Sequence, residues 1–435
     1  MFRRTRTLAL VVLATAVAAF AAGPAVAQSD RIQRILRETP LIDGHNDVPE
    51  NIAGRFKGHL DAIDFAAGTA TLVPPMHTDI PRLRAGGVGG QFWSIWVSPQ
   101  VPGADAVQAA LDQIDLLKRL VDRYPETFEL ARTSDDIVRI HKAGRIASLI
   151  GLEGGHAIND SLATLREMFR AGARYMTLTH WSNNDWADAA TDAPRHGGLT
   201  AFGVMVILEM NRLGMLVDLS HVSDQAMNRV LDVTKSPVIF SHSSARALNG
   251  HPRNVPDSVL KRVAQNGGIV MVNFSPDFIS EAARAYYADV EAETARLKEL
   301  MPGDAAGVEK GLAAWKAAHP EVRATLRQVA DHIDHIRKVA GVDHVGLGSD
   351  FDGISRVPLG LEDVSRYPDL LEELARRGYT DDDLRKVVGL NILRVMRQAE
   401  GVAARLQKET RPNDARIEEV DRKQAAGIAA AEPVR

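Results

Sequence analysis

Residues 41–49 read LIDGHNDVP, and two groups in that stretch can do chemistry, His45 and Asp47. Side chains two apart on an extended strand share a face. A neutral imidazole and a carboxylate therefore converge at the strand's end, where they could bind a divalent metal or simply hydrogen-bond each other. Recurrence favours the metal. Further apolar runs finish on Glu153 in IASLIGLEGG (146–155), His180 in YMTLTH (175–180), His221 in LVDLSH (216–221), His242 in PVIFSH (237–242) and Asp350 in HVGLGSD (344–350). Singly, each has a plainer role: a core histidine at 180, rings bonded to neighbouring serine hydroxyls at 221 and 242, turn residues at Asp350 and Asp352 ahead of Gly353. All of those plainer roles would have to hold together for the metal reading to fail.

The ligand count sets the number of ions. Three histidines and two carboxylates, His45, Asp47, Glu153, His221 and His242, exceed what one catalytic zinc takes, since such a site keeps about three protein ligands and one open position. Two metals are expected, with His45 and Asp47 serving one, His221 and His242 the other, and Glu153 bridging both. Two divalent ions, two carboxylates and a shared hydroxide leave a positive centre that polarises a carbonyl. Ions roughly 3.5–4 Å apart also hold a water as hydroxide near neutral pH, which supplies a nucleophile for hydrolysis. The donors suit Zn2+, and Mn or Co could substitute.

Residues so distant in sequence need a scaffold that gathers strand ends. Besides the runs above, VGGQFWSIWV (88–97) and GGIVMVNF (267–274) read as strands, which makes eight. Helical patterns fill the gaps, such as ADAVQAALDQIDLLKRLVDRY, TAFGVMVILEMNRLG and SDQAMNRVLDVT, the last with Ser223 placed as its cap. Alternating buried strands and helices indicate a (β/α)8 barrel of the TIM type, whose C-terminal strand ends meet at one mouth. Residues 280–341 read as a charged helical insertion before the last strand, with a possible lid function. The barrel domain is expected over 28–408 and a loosely held polar tail over 409–435.

Arg3, Arg4 and Arg6 precede an apolar run from Leu8 to Ala22, and AVA at 25–27 matches a small-x-small cleavage site. Residues 1–27 are therefore expected to be an export leader, which makes the protein periplasmic or secreted. The run is too short for a stable membrane anchor. Removing the leader takes away three arginines and no acids, so the net charge moves from −4 to −7. No basic stripe interleaved with aromatics suggests nucleic acid. With no cysteine in the chain, stability must come from the core and from bound metal.

With these residues assembled, the sequence resembles the membrane dipeptidase family, also called renal dipeptidase or peptidase family M19. The likeness runs from about Leu41 to Asp352 through DGHND, GLEGG, YMTLTH, VDLSHVS, SHSSAR with PRNVP, and GLGSDFDG. It implies a two-zinc barrel enzyme that hydrolyses dipeptides, L,D as well as L,L. It makes His45, Asp47, Glu153, His221 and His242 the ligands and assigns His180, Arg253 and Asp350 to substrate. By the same resemblance His180 steadies the oxyanion, Arg253 grips the C-terminal carboxylate, and Asp350 meets the ammonium and moves a proton toward the leaving amine. Arg253 could otherwise be a surface arginine, and Trp181 and Trp186 could line the pocket or only pack. The family favours a homodimer. Tethering by a C-terminal lipid and linkage by cysteines, known among animal members, do not fit a cysteine-free chain ending in AAAEPVR. A second enzymatic reading keeps the metals and changes the substrate to β-lactams or other cyclic amides or lactones. A third is an exported metal- or peptide-binding protein without turnover.

Overall fold

In the computed structural model the described residues run from 24 to 421. The expected leader lies outside them, except that the backbone of 24–27 begins the helix Pro24–Glu38. Among the described residues no helix is long and apolar enough to cross a membrane. Nine parallel strands follow: β1 Leu41–Asn46, β2 Val88–Trp96, β3 Phe128–Leu130, β4 Ile146–Glu153, β5 Ala173–Thr177, β6 Leu216–Asp218, β7 Ile239–Phe240, β8 Ile269–Val272 and β9 Val345–Leu347. Pairing runs β1–β2–β4–β5–β6–β7–β8–β9 and returns to β1 through Asp43 and Leu347. Eight strands thus close a (β/α)8 barrel, as the alternation of strand and helix required.

The ninth strand, β3, lies outside that ring and was not legible in the sequence. It pairs only with the start of β4, Phe128 opposite Ile146, before β5 takes over β4 from Ile150 onward. Three residues, FEL, of which Phe128 alone is fully buried, leave no apolar run to detect.

The barrel interior is packed. Ile42, Phe92, Leu149, Tyr175, Ile239 and Met271 fill it, and Ile392 and Met396 of the C-terminal helix Asn391–Glu409 close its floor. Burying such side chains contributes roughly 1.5–3 kcal/mol each, enough to hold polar groups at the opposite end. The helix Asp224–Val233 is capped as expected, the Ser223 hydroxyl accepting from Ala226 N at 3.1 Å.

The 280–341 segment divides. Helices Glu281–Leu300 and Ala305–Ala318 form the excursion, whereas Leu326–Ala340 is an ordinary barrel helix leading into β9. The segment beyond Glu409 departs from the expected loose tail as far as Asp421. Asn413 O accepts from Arg166 at 2.8 Å, and Asp421 accepts from Phe202 N at 2.9 Å at the start of the helix Ala201–Leu213. Polar composition hid this anchoring, because only Ala415 and Ile417 of the segment pack against the core and these two hydrogen bonds are made by a backbone carbonyl and a helix cap.

Candidate functional site

All the donor side chains read from the sequence meet at the C-terminal mouth of the barrel, and Glu153, the last residue of β4, is their hub. Its Oε2 lies 3.3 Å from His45 Nε2, which is itself 3.3 Å from Asp47 Oδ2. Its Oε1 lies 3.1 Å from His221 Nε2, 3.4 Å from His242 Nε2 and 3.8 Å from His180 Nε2. One carboxylate oxygen thus faces the His45–Asp47 pair and the other faces His221 and His242, the division expected of a bridging ligand. All five are buried. His221 and Asp350 hold left-handed backbone, φ 69° and 68°, at a cost of about 1–3 kcal/mol each, which surrounding structure sustains mostly at functional sites.

Hydrogen bonds behind the rings decide which nitrogen faces the centre. The Ser241 hydroxyl donates to Asp218 Oδ2 at 2.6 Å, so at 2.7 Å from His242 Nδ1 it accepts the ring's N–H. The Nε2 lone pair of His242 is left for the centre. Asp218 is locked in place by Ser241 N, Ser220 N and Thr177 Oγ1 as well. His180 is arranged the other way round: Trp96 Nε1 donates to its Nδ1 at 3.1 Å, which puts the ring proton on Nε2. Burial lowers the His180 pKa to about 4, so the ring is a neutral donor at physiological pH. Although His180 can be grouped with Glu153 and His221 as a metal ligand, its tautomer makes it a hydrogen-bond donor into the site. His45 Nδ1 lies 2.8 Å from the Tyr175 hydroxyl, and Tyr175 reaches across because β4 carries Gly151, where a Cβ would come 2.0 Å from Tyr175 Cζ.

The donor set fits divalent metal. Among the described residues no Lys or Arg pairs with Asp47 or Glu153, so the salt-bridge partners of these two buried carboxylates are imidazoles alone. Uncompensated buried charge costs several kcal/mol per ion. Asp47 Oδ2 has no hydrogen-bond donor, and His221 Nε2 sits 3.0 Å from His242 Nε2. Burial lowers the pKa of both rings, reinforced by Arg253 and His180 at His221 and by His45 at His242. Both are therefore neutral, as metal ligation requires. Burial also acts to lower His45, but Tyr175, Glu153 and Asp47 hold it above the usual histidine range.

Over the cluster opens a cavity of about 620 Å³. Arg253 lines it and is 1% exposed, which removes the surface-arginine reading. Its guanidinium donates only to Ser243 Oγ and His242 O, both at 3.3 Å, its Nε is unpaired, and no carboxylate among the described residues forms a salt bridge with it. Asp350, half-buried at the end of β9, accepts from Asn273 Nδ2 at 2.9 Å. Burial raises its pKa to about 7, the charges of Asp47 and Glu153 acting in the same direction. Gly353 stands where a Cβ would come 2.2 Å from Asp47 Oδ2. Trp181 lines the cavity, whereas Trp186 is fully buried against Gly155 and only packs. Helix Glu281–Leu300 contributes Arg284 and Tyr287 to the wall.

A profile of the membrane dipeptidase family, peptidase family M19, matches residues 29–410. The chain belongs to that family. As an M19 member it is a metal-dependent dipeptidase. The probable dipeptidase PvdM from Pseudomonas aeruginosa shares 25% identity with it at a TM-score of 0.73, over 87% of this chain and 100% of that one. A further M19 metallopeptidase, dipeptidase AC, superposes at 0.68 with 24% identity, over 84% and 99% of the two chains. A metallopeptidase from Rhodobacter sphaeroides, solved with a phosphinate mimic of the dipeptide L-Ala-D-Ala, superposes at 0.66 with 23% identity, over 83% and 99%.

Several site residues escaped the sequence reading. Ser94 donates to Glu153 Oε2 at 2.9 Å, and Trp96 stands opposite Glu153 in the β2–β4 register. The signal was present, since Ser94 and Trp96 are two apart at the end of an expected strand, but neither ionises. Tyr175, Asp218, Ser241 and Asn273 act through a neighbouring strand, and local sequence does not carry that pairing.

Proposed function

We propose that this M19 enzyme is exported, binds two zinc ions through His45, Asp47, Glu153, His221 and His242, and hydrolyses L,L and L,D dipeptides. The observation that carries the reading is the pair of charged groups lining the cavity over the donor cluster: a buried arginine that forms no salt bridge among the described residues, and a half-buried aspartate two strands further round the barrel. Bound there, the ions would polarise the scissile carbonyl and supply a nucleophilic water at neutral pH. Arg253 holds the substrate's C-terminal carboxylate, a task suited to a planar fork whose Nε is free. His180, kept neutral with its proton on Nε2, donates to the oxygen that gains charge as the carbonyl becomes tetrahedral. Asp350, oriented by Asn273, receives the substrate ammonium and passes a proton to the departing amine. A zwitterion two residues long fits between the anchors, and longer peptides lose one of them. The dipeptide mimic in the Rhodobacter sphaeroides relative supports this substrate class, and the basic, apolar, small-residue order of positions 3–27 supports export. The test is a panel of L,L and L,D dipeptides with and without chelator, together with C-terminally amidated analogues. Chelator-sensitive hydrolysis of the free acids and near silence toward the amides is expected; equal rates on both would refute the two-ended reading.

A further inference from the structure

Glu50 has no task in this scheme. It lies in the first turn of the helix Val48–Phe56, three residues after Asp47, is partly buried, and lines the cavity. Among other charged groups in the wall, Asp277 faces Arg356 at 3.5 Å and Arg284 pairs with Glu281, while Glu291 is unpaired among the described residues but stands exposed on the outer helix Glu281–Leu300. Glu50 has neither ion pair nor hydrogen bond among the described residues. Nor is it a metal donor, because it belongs to none of the three groups of ligand-capable atoms. Its carboxylate lies back along its own helix, with Oε1 3.3 Å from the position a Cβ would take at Gly54.

Strand order places this anion relative to the substrate. Arg253 comes from the loop after β7, Asp350 follows β9, and Glu50 follows β1, the neighbour of β9. A dipeptide held with its carboxylate at Arg253 and its ammonium at Asp350 has its first residue on the β9–β1 side, where Glu50 stands. We propose that Glu50 reads the side chain of the N-terminal residue and selects dipeptides that begin with a basic residue, Lys or Arg. The inference rests on the dipeptidase reading above. An ammonium or guanidinium brought beside this unpaired carboxylate gains an opposite charge, whereas an acidic side chain meets a like one.

The experiment compares kcat/KM for Lys-Ala, norleucine-Ala and Glu-Ala in the metal-replete full chain and in Glu50→Gln and Glu50→Lys. Norleucine keeps the length of lysine without its charge. Wild type should prefer Lys-Ala over Glu-Ala by at least about tenfold, a partly desolvated charge pair being worth that much. Glu50→Gln should collapse the Lys-to-norleucine ratio toward one, and Glu50→Lys should reverse the Lys-to-Glu order. The same three ratios in Glu50→Gln as in wild type, whatever the absolute rates, would overturn the proposal. Hydrolysis of none of the three by wild type would remove the dipeptide reading itself, and this inference with it.

Discussion

Removing the Ser241 hydroxyl tests whether the support behind the metal donors is functional. In Ser241→Ala, His242 Nδ1 loses its 2.7 Å acceptor and Asp218 loses one of four donors. Two effects follow, and they separate. Leaving buried Asp218 less well satisfied destabilises the protein by about 1–3 kcal/mol with or without metal. Freeing the ring to change tautomer or rotate weakens metal binding by a further factor of roughly 10–100, as loss of such outer hydrogen bonds does. At fixed free metal that factor equals about 1.4–2.8 kcal/mol, and it appears only in the metal-loaded protein. We predict that competition against a chelator gives a metal affinity at least about tenfold weaker than wild type, and that thermal denaturation shows a larger loss in the loaded than in the metal-free form. Ser241→Thr, which keeps the hydroxyl, should recover most of the affinity. Equal destabilisation of both forms with unchanged affinity would refute the reasoning.

Three further predictions concern other parts of the molecule. Arg253→Ala should raise KM for dipeptides by on the order of 10–100-fold, the worth of a buried charged hydrogen bond, without lowering thermal stability comparably, since the guanidinium has no acidic partner to lose; unchanged kinetics would remove its role. Trp96→Phe abolishes the 3.1 Å donor to His180 Nδ1 and should lower kcat by about tenfold with little change in KM, because the proton on His180 Nε2 matters only as the oxyanion forms; a KM-only effect would contradict this. In the loop after β4, burial and the facing acids Asp185, Glu418 and Asp421 raise the Asp160 pKa to about 6. An acid whose folded pKa is raised contributes stability that is full below pH ~4 and is lost as pH rises through ~6. After solvent screening this is about 1 kcal/mol, and Asp160→Asn, an amide tolerant of the residue's φ of 52°, should reduce the drop in Tm between pH 5 and pH 8; an identical drop would refute it.

Much of the site was legible because six of the eight barrel strands are apolar runs that stop on an ionisable residue. His45, Asp47, Glu153, His221 and His242 could be placed together once the strand count implied closure, and the distances around Glu153 agree. What could not be read was support that exists only between strands. Tyr175 looks like any inward aromatic until Gly151 on the adjacent strand makes room for its hydroxyl to reach His45. Asp218 in VDLSH resembles another donor, yet its carboxylate turns to Ser241 on the next strand and never enters the cluster. The tail beyond Glu409 misled for a related reason: Asn413 anchors it through a backbone carbonyl and Asp421 through a carboxylate on a distant helix N-terminus, pairings that composition does not record.

At the centre of the proposed function, five side chains from the ends of four strands hold a pair of divalent ions. Elemental analysis of metal-replete protein tests it most directly, alongside Glu153→Gln, in which the shared carboxylate is lost. The account predicts about two zinc ions per chain in the wild type and a loss affecting both ions in the variant. One ion or fewer in the replete wild type, or a Glu153→Gln protein that still retains two at wild-type affinity, would contradict it.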